Sequence, residues 1–177
     1  MLEFRATQKS FGTTPLFSIA SQTLDKGIYW LQGENGVGKT TLLRMVAGIV
    51  PFKGDILIQD SSGSGCRLVS QRREPVDYRR LVGWADAEPL YPGFLSGMVK
   101  KLSLVLAFLG RPALITLDEP LITLDEPGAA GLTSLIREYA GIYNTGFLLS
   151  SHQPVPAETL PQLRKMQIKE QSIRLIN

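Results

Sequence analysis

The chain has 177 residues, 44% of them hydrophobic, and 19 Lys and Arg against 16 Asp and Glu give it a formal charge of +3. That length and apolar share predict one domain with a real core, the scattered basic residues speak against a nucleic-acid groove, and the single cysteine, Cys66, excludes an internal disulfide and fits a reducing compartment. No window approaches the roughly 18 apolar residues of a membrane span, and Met1–Arg5 has no signal-peptide core, so a cytosolic chain is expected.

From the N-terminus, Leu2–Ala6 and Leu16–Ile19 alternate in the manner of half-buried antiparallel strands. Asp25-Lys26-Gly27 interrupts the pattern, and Ile28–Leu31 follows as an apolar, strand-like run. Directly behind it comes Gly33-Glu34-Asn35-Gly36-Val37-Gly38-Lys39-Thr40-Thr41, and behind that a helix-like run, Leu42–Ala47. Strand, glycine-rich loop and helix in that order are what a phosphate cradle requires. The glycines let the backbone curl so that successive N–H groups point inward at phosphate oxygens. The helix adds the positive end of its dipole at the same place. Lys39 reaches the terminal phosphates as a point charge, and the Thr40 hydroxyl is placed to ligate Mg²⁺. The loop predicts a nucleoside triphosphate site.

Further along, strands are expected near 54–59 and 80–84, with Ser61–Gly65 a surface loop that leaves Cys66 an incidental thiol. Arg72-Arg73, Arg79-Arg80 and Lys100-Lys101 read as solvated faces. Helices are expected near 39–48, 98–109 and 129–140, strands near 113–117 and 146–150, and a closing hairpin from 165–169 and 172–176. Ala113–Leu117 is an apolar strand that ends in Asp118-Glu119-Pro120. Beside a phosphate loop, Asp118 is suited to hold Mg²⁺ through water and Glu119 to polarise the water that attacks the γ-phosphate. The heptapeptide Leu114–Pro120 is repeated at once as Leu121–Pro127. A parallel neighbour needs a crossover of a dozen or more residues, so only one copy is a strand of the sheet, and the helix stop at Gly110-Arg111-Pro112 favours the first.

Over nearly its whole length the chain resembles the ATP-binding subunit of ABC transporters. Gly33–Thr41 looks like that family's phosphate loop, and Asp118 and Glu119 match its magnesium-holding aspartate and catalytic glutamate. Leu124-Asp125 falls on the D-loop, which touches the opposing subunit, and Gly146–His152 matches the last core strand ending in the switch histidine that contacts the γ-phosphate. Phe11, in Lys9–Gly12, matches the aromatic that stacks on adenine and reads equally as a packed strand-end ring. Lys100–Leu109 is similar to the helix after the signature motif in the style of ABC-2 exporters, where Gly-Met often replaces Gly-Gln; Gly97 falls on the last glycine of that signature, and Ser96 lies one residue late for its serine. The resemblance implies a P-loop NTPase fold: a mainly parallel α/β sheet flanked by helices with an antiparallel β layer, 1–177 forming a single domain. It implies ATP and Mg²⁺ as ligands, a homodimer or heterodimer with another ATP-binding subunit, and a separately encoded membrane permease that holds the chain at the inner face of the membrane. No nucleic-acid partner is expected.

Two departures stand out. Gly83-Trp84 and Glu88–Pro92 frame the family's Q-loop but place Ala87 where it has glutamine, flanked by Asp86 and Glu88, while Gln71 comes too early to substitute. Where the family has several dozen residues of helical subdomain before the signature, this chain has about 88–97 alone, with Leu95 at the position of the signature serine. The leading expectation is therefore a transport ATPase, with an ATP-binding module of little turnover and a soluble non-transport ABC ATPase as alternatives.

Overall fold

Two hairpin-linked strands begin the chain because polar and apolar residues alternate through both. In the computed structural model, which describes residues 1–59, 65–69, 76–86, 96–122, 124–151, 160 and 162–176, β1 (Leu2–Phe11) pairs with β2 (Thr14–Leu24) across a two-residue turn. Leu2, Phe4 and Thr7 of β1 face inward, as do Phe17, Ile19 and Leu24 of β2. β4 (Lys53–Gln59) and β5 (Gly65–Val69) extend this layer into an antiparallel sheet of order β2-β1-β4-β5.

The second sheet has the order β10-β9-β3-β8-β7-β6, with β3 (Ile28–Gln32), β6 (Val82–Ala85), β7 (Leu114–Asp118), β8 (Gly146–Ser150), β9 (Leu163–Lys169) and β10 (Ser172–Ile176). All its pairs are parallel except the β9–β10 hairpin. Every residue of β7 and β8 is buried, as expected of parallel strands covered on both faces. Their side chains alternate between two cores. Tyr29, Leu31, Leu114 and Leu148 meet Leu42, Leu43, Met45 and Val46 of α1 (Lys39–Val46) and the inner face of the antiparallel sheet. Ile28, Trp30, Ile115, Leu117, Phe147 and Leu149 meet Leu104, Ala107 and Phe108 of α3 (Ser96–Phe108) and Leu132 and Ile136 of α4 (Glu126–Ile142). The helix α1 that follows the phosphate loop is thus held between the two sheets.

The expected mainly parallel α/β sheet with an antiparallel layer is present. Some boundaries differ. The strand expected at 80–84 is β6, and its first two residues belong instead to α2 (Val76–Leu81), where buried Tyr78 donates its hydroxyl proton to the Val46 carbonyl at 2.6 Å. Gly65, placed in a loop by its Ser/Gly surroundings, begins β5. The two copies of the heptapeptide adopt different structures: Leu114–Asp118 is the buried strand β7, whereas Leu121 and Ile122 are in a turn and Asp125 caps α4, with Glu126 and Pro127 in its first turn. Among the described residues no helix is long and apolar enough to cross a membrane.

Candidate active site

Strands β3, β8 and β7 are adjacent and parallel, so their carboxyl ends open on one edge of the sheet, the edge where parallel α/β folds bind ligands. The register aligns Leu31 with Ser150 and Ser150 with Asp118. Gln32 leads from there into the phosphate loop. Gly36 and Gly38 have φ of +79° and +108°, the left-handed region where a side chain is strained. At Gly38 a Cβ would also lie 2.7 Å from the Phe17 ring, so β2 holds the loop from below. Glu34, Asn35 and Gly36 are exposed at the rim; Val37, Thr40 and Thr41 are half-buried. Lys39, 7% exposed, folds its ammonium over the loop and donates to the carbonyls of Gly33 (2.7 Å) and Glu34 (3.1 Å). The loop thus forms a closed ring with its cation at the mouth, next to the N-terminus of α1.

Two strands away, Asp118 is 1% exposed and Glu119 is 7% exposed. The Ser150 hydroxyl donates to Asp118 Oδ1 at 2.5 Å and accepts the Glu119 N–H at 3.2 Å. Asp118 Oδ2 is buried and has no hydrogen-bond partner among the described residues. A buried carboxylate oxygen costs free energy unless something compensates it, and here it sits on the edge that carries the phosphate loop. This donor set suits Mg²⁺, which is held by one or two protein oxygens and completed by phosphate and water. Glu119 has φ +46°, a left-handed conformation that costs a non-glycine residue roughly 1–3 kcal/mol and concentrates at functional sites.

A residue that sequence reasoning placed in solvent belongs to this edge. Lys100 is 4% exposed, not part of a solvated face. Its ammonium donates to the carbonyl of Asp118 at 2.9 Å and to that of Asp86. Burial pulls its pKa below the ordinary lysine value, against the opposing pull of the Asp118, Asp86 and Glu119 charges. The Asp86 carboxylate, beside the Ala87 position, accepts two hydrogen bonds from Arg44 of α1 at 3.0 and 2.8 Å. Ser150 was likewise not singled out from the sequence. The signal was present in its position at the end of an apolar strand, one residue short of Ser151-His152.

Phe11 ends β1 with its ring 59% exposed and the Lys9 ammonium 4.8 Å from the ring centre, so it is not a packed strand-end residue. Asp125 pairs with Lys101 of α3 at 2.9 Å, and that ammonium holds its carboxyl below the usual range. Ser96 and Gly97 form the first turn of α3. His152, Ala87, Leu95 and Gln71 lie outside the described residues.

The ABC transporter family profile matches residues 18–88. The chain is 32% identical over 198 aligned residues to a cytochrome c biogenesis ATP-binding export protein, CcmA 2, of Salmonella paratyphi A, covering 92% of this chain and 96% of that protein. It is 29% identical to the lipoprotein-releasing system ATP-binding protein LolD of Buchnera aphidicola over 201 positions, 89% of this chain and 88% of that one. Those 201 positions exceed the 177 residues of this chain, so at least 24 are filled only in the relative. Among solved structures, an ATP-binding subunit of an ABC transporter superposes with a TM-score of 0.76 at 19% identity, over 98% of this chain and 88% of that one. A dimeric ATP-binding cassette bound to ADP and phosphate gives 0.73 at 13%, over 100% and 98%. These two are alike in fold. With the phosphate loop, the acidic strand end and the CcmA relationship together, the chain belongs to the family of ABC transporter ATP-binding subunits.

Proposed function

We infer that this chain binds Mg-ATP at the β3–β8–β7 edge, hydrolyses it, and uses ATP-driven pairing of two such subunits to power a membrane permease. The observation that carries the reading is the alignment of the phosphate loop with the Asp118–Glu119 strand end on one edge, with Ser150 between them. Gly33 to Gly38 wrap the phosphates with backbone N–H groups, Lys39 exchanges its loop carbonyls for the terminal phosphate oxygens, and Thr41 helps close the start of α1. Thr40 and Asp118 are the ligands assigned to Mg²⁺, which when bound neutralises charge on the phosphate oxygens. Glu119 orients and polarises the attacking water, His152 contacts the γ-phosphate, and Phe11 stacks on the adenine. Ser96, Gly97 and Asp125 face the nucleotide of the opposing subunit.

Export is the favoured direction, on the Gly97-Met98 pair and on the export protein among the relatives. A zinc import ATP-binding protein of Alkalilimnicola ehrlichii, 28% identical, supplies the competing direction. A second reading, an ATP-binding module with little turnover, draws support from the positions that LolD fills and this chain does not, together with the shortened stretch at about 88–97. Comparing phosphate release by the native chain and by Glu119→Gln separates the two. The transport reading expects turnover that falls ~10²–10⁴-fold in the variant with nucleotide affinity kept. Equal turnover in both proteins overturns the role of Glu119, and negligible turnover in the native chain favours the second reading.

A further inference from the structure

The peptide unit that joins Asp118 to Glu119 is gripped at both of its polar ends. Its carbonyl oxygen accepts a hydrogen bond from the Lys100 ammonium at 2.9 Å, and its N–H donates to the Ser150 hydroxyl at 3.2 Å. The two grips come from different elements, α3 and β8, and both groups are buried. The same Ser150 hydroxyl donates to Asp118 Oδ1, so it fixes the side chain on one side of the peptide as well as the backbone. Lys100 also holds the Asp86 carbonyl, which ties the end of β6 to the end of β7.

The orientation of this peptide plane is the reference from which the φ of Glu119 is measured. A plane left free would relax toward the right-handed conformations that a glutamate prefers. Here φ stays at +46°. The geometry points to Lys100 and Ser150 as a pair of positioning residues that hold the Asp118–Glu119 peptide in its strained orientation and so aim the Glu119 carboxylate for hydrolysis. Neither side chain needs to touch nucleotide for this. The inference rests on the hydrolytic role of Glu119 proposed above, but the clamp itself is a property of the protein without ligand. The positive charge of Lys100 among Asp118, Glu119 and Asp86 adds to the hold, because a charge-assisted hydrogen bond is about twice as strong as a neutral one.

The test has one readout that needs no turnover. In the nucleotide-free protein, residue-resolved amide hydrogen exchange at Glu119 should be slow in the native chain and at least about tenfold faster in Lys100→Met and in Ser150→Ala, the change expected for one lost hydrogen bond to a charged or buried group. The amides of Leu117 and Leu149 in the same sheet serve as controls for an intact fold and should not change. With Mg-ATP, each variant should lose about 10–100-fold in kcat with KM nearly kept, since a catalytic group misplaced by an ångström costs on that order. The double variant should lose less than the product of the two, because both substitutions release one peptide. Unchanged exchange at Glu119 in Lys100→Met overturns the clamp whether or not the chain hydrolyses ATP. Faster exchange with unchanged kcat overturns its role in hydrolysis. If the native chain and Glu119→Gln hydrolyse ATP equally, the failure lies in the role given to Glu119, and the exchange rates still judge the clamp.

Discussion

Lys100 and Lys101 are adjacent in sequence and have opposite fates. About 100° of helix separates their side chains, so one ammonium is buried against the ends of β6 and β7 and the other reaches Asp125 in solvent. Nothing in the local sequence distinguishes them, because burial of a lysine depends on which element the helix meets. Lys39 is different. Its position is dictated by the loop it closes, and its place at the start of the helix behind a glycine-rich loop is legible from Gly33–Thr41 alone. Among the described residues the Lys39 ammonium donates to the loop carbonyls of Gly33 and Glu34, and Lys39→Ala removes the one positive charge in Gly33–Thr41. Binding of ATP, measured by calorimetry, should weaken by a factor of about 10–100, the value of a charge-assisted contact. An affinity equal to that of the native chain contradicts the phosphate-loop assignment. Asp118 and Glu119 were legible for the same reason as Lys39: an apolar strand ending in two acids is a local pattern. The left-handed φ of Glu119 was not, since it is imposed by partners in α3 and β8.

The heptapeptide Leu-Ile-Thr-Leu-Asp-Glu-Pro shows at the level of elements what sequence leaves undecided. One copy is a central strand and the other a turn leading into α4. Intrinsic propensity is the same for both, so the tertiary partners choose. The choice was legible only through topology, because the second copy has no room for a crossover back into the sheet. By contrast β5 and α2 lie where polar and glycine-rich residues conceal the pattern, and they form by pairing with β4 and by burying Tyr78. The contact between α3 and β6 is made through Gly83, where a Cβ would lie 1.9 Å from the Ala107 carbonyl oxygen. Backbone cannot yield as a side chain does, so Gly83→Ala should displace α3 and destabilise the protein by about 1–3 kcal/mol. Gly131, inside α4 with nothing near its Cβ position, gives the opposite expectation. Gly131→Ala should stabilise by about 0.5–1 kcal/mol, through helix propensity and a less mobile unfolded chain. Urea melts of the two variants check both signs.

Across the whole molecule, the six-stranded sheet separates two cores, and the ends of β3, β8 and β7 between them bring the phosphate loop and the Asp118–Glu119 pair to one edge. One side is closed by α1 and the antiparallel sheet, where exposed Phe11 ends β1. The other is closed by α3 and α4, which present Ser96, Gly97 and Asp125 at their starts. In the proposed sandwich these starts meet the phosphate loop of a second copy, so neither site is complete alone. The proposed contact rests on Ser96, Gly97 and Asp125, which the sequence keeps although Leu95 stands at the position of the signature serine. Light scattering on Glu119→Gln with and without Mg-ATP tests the account most directly. The variant should bind nucleotide without consuming it, and its mass should double from that of a 19.5 kDa chain when Mg-ATP is added. A chain that binds Mg-ATP and keeps the mass of a monomer contradicts the account.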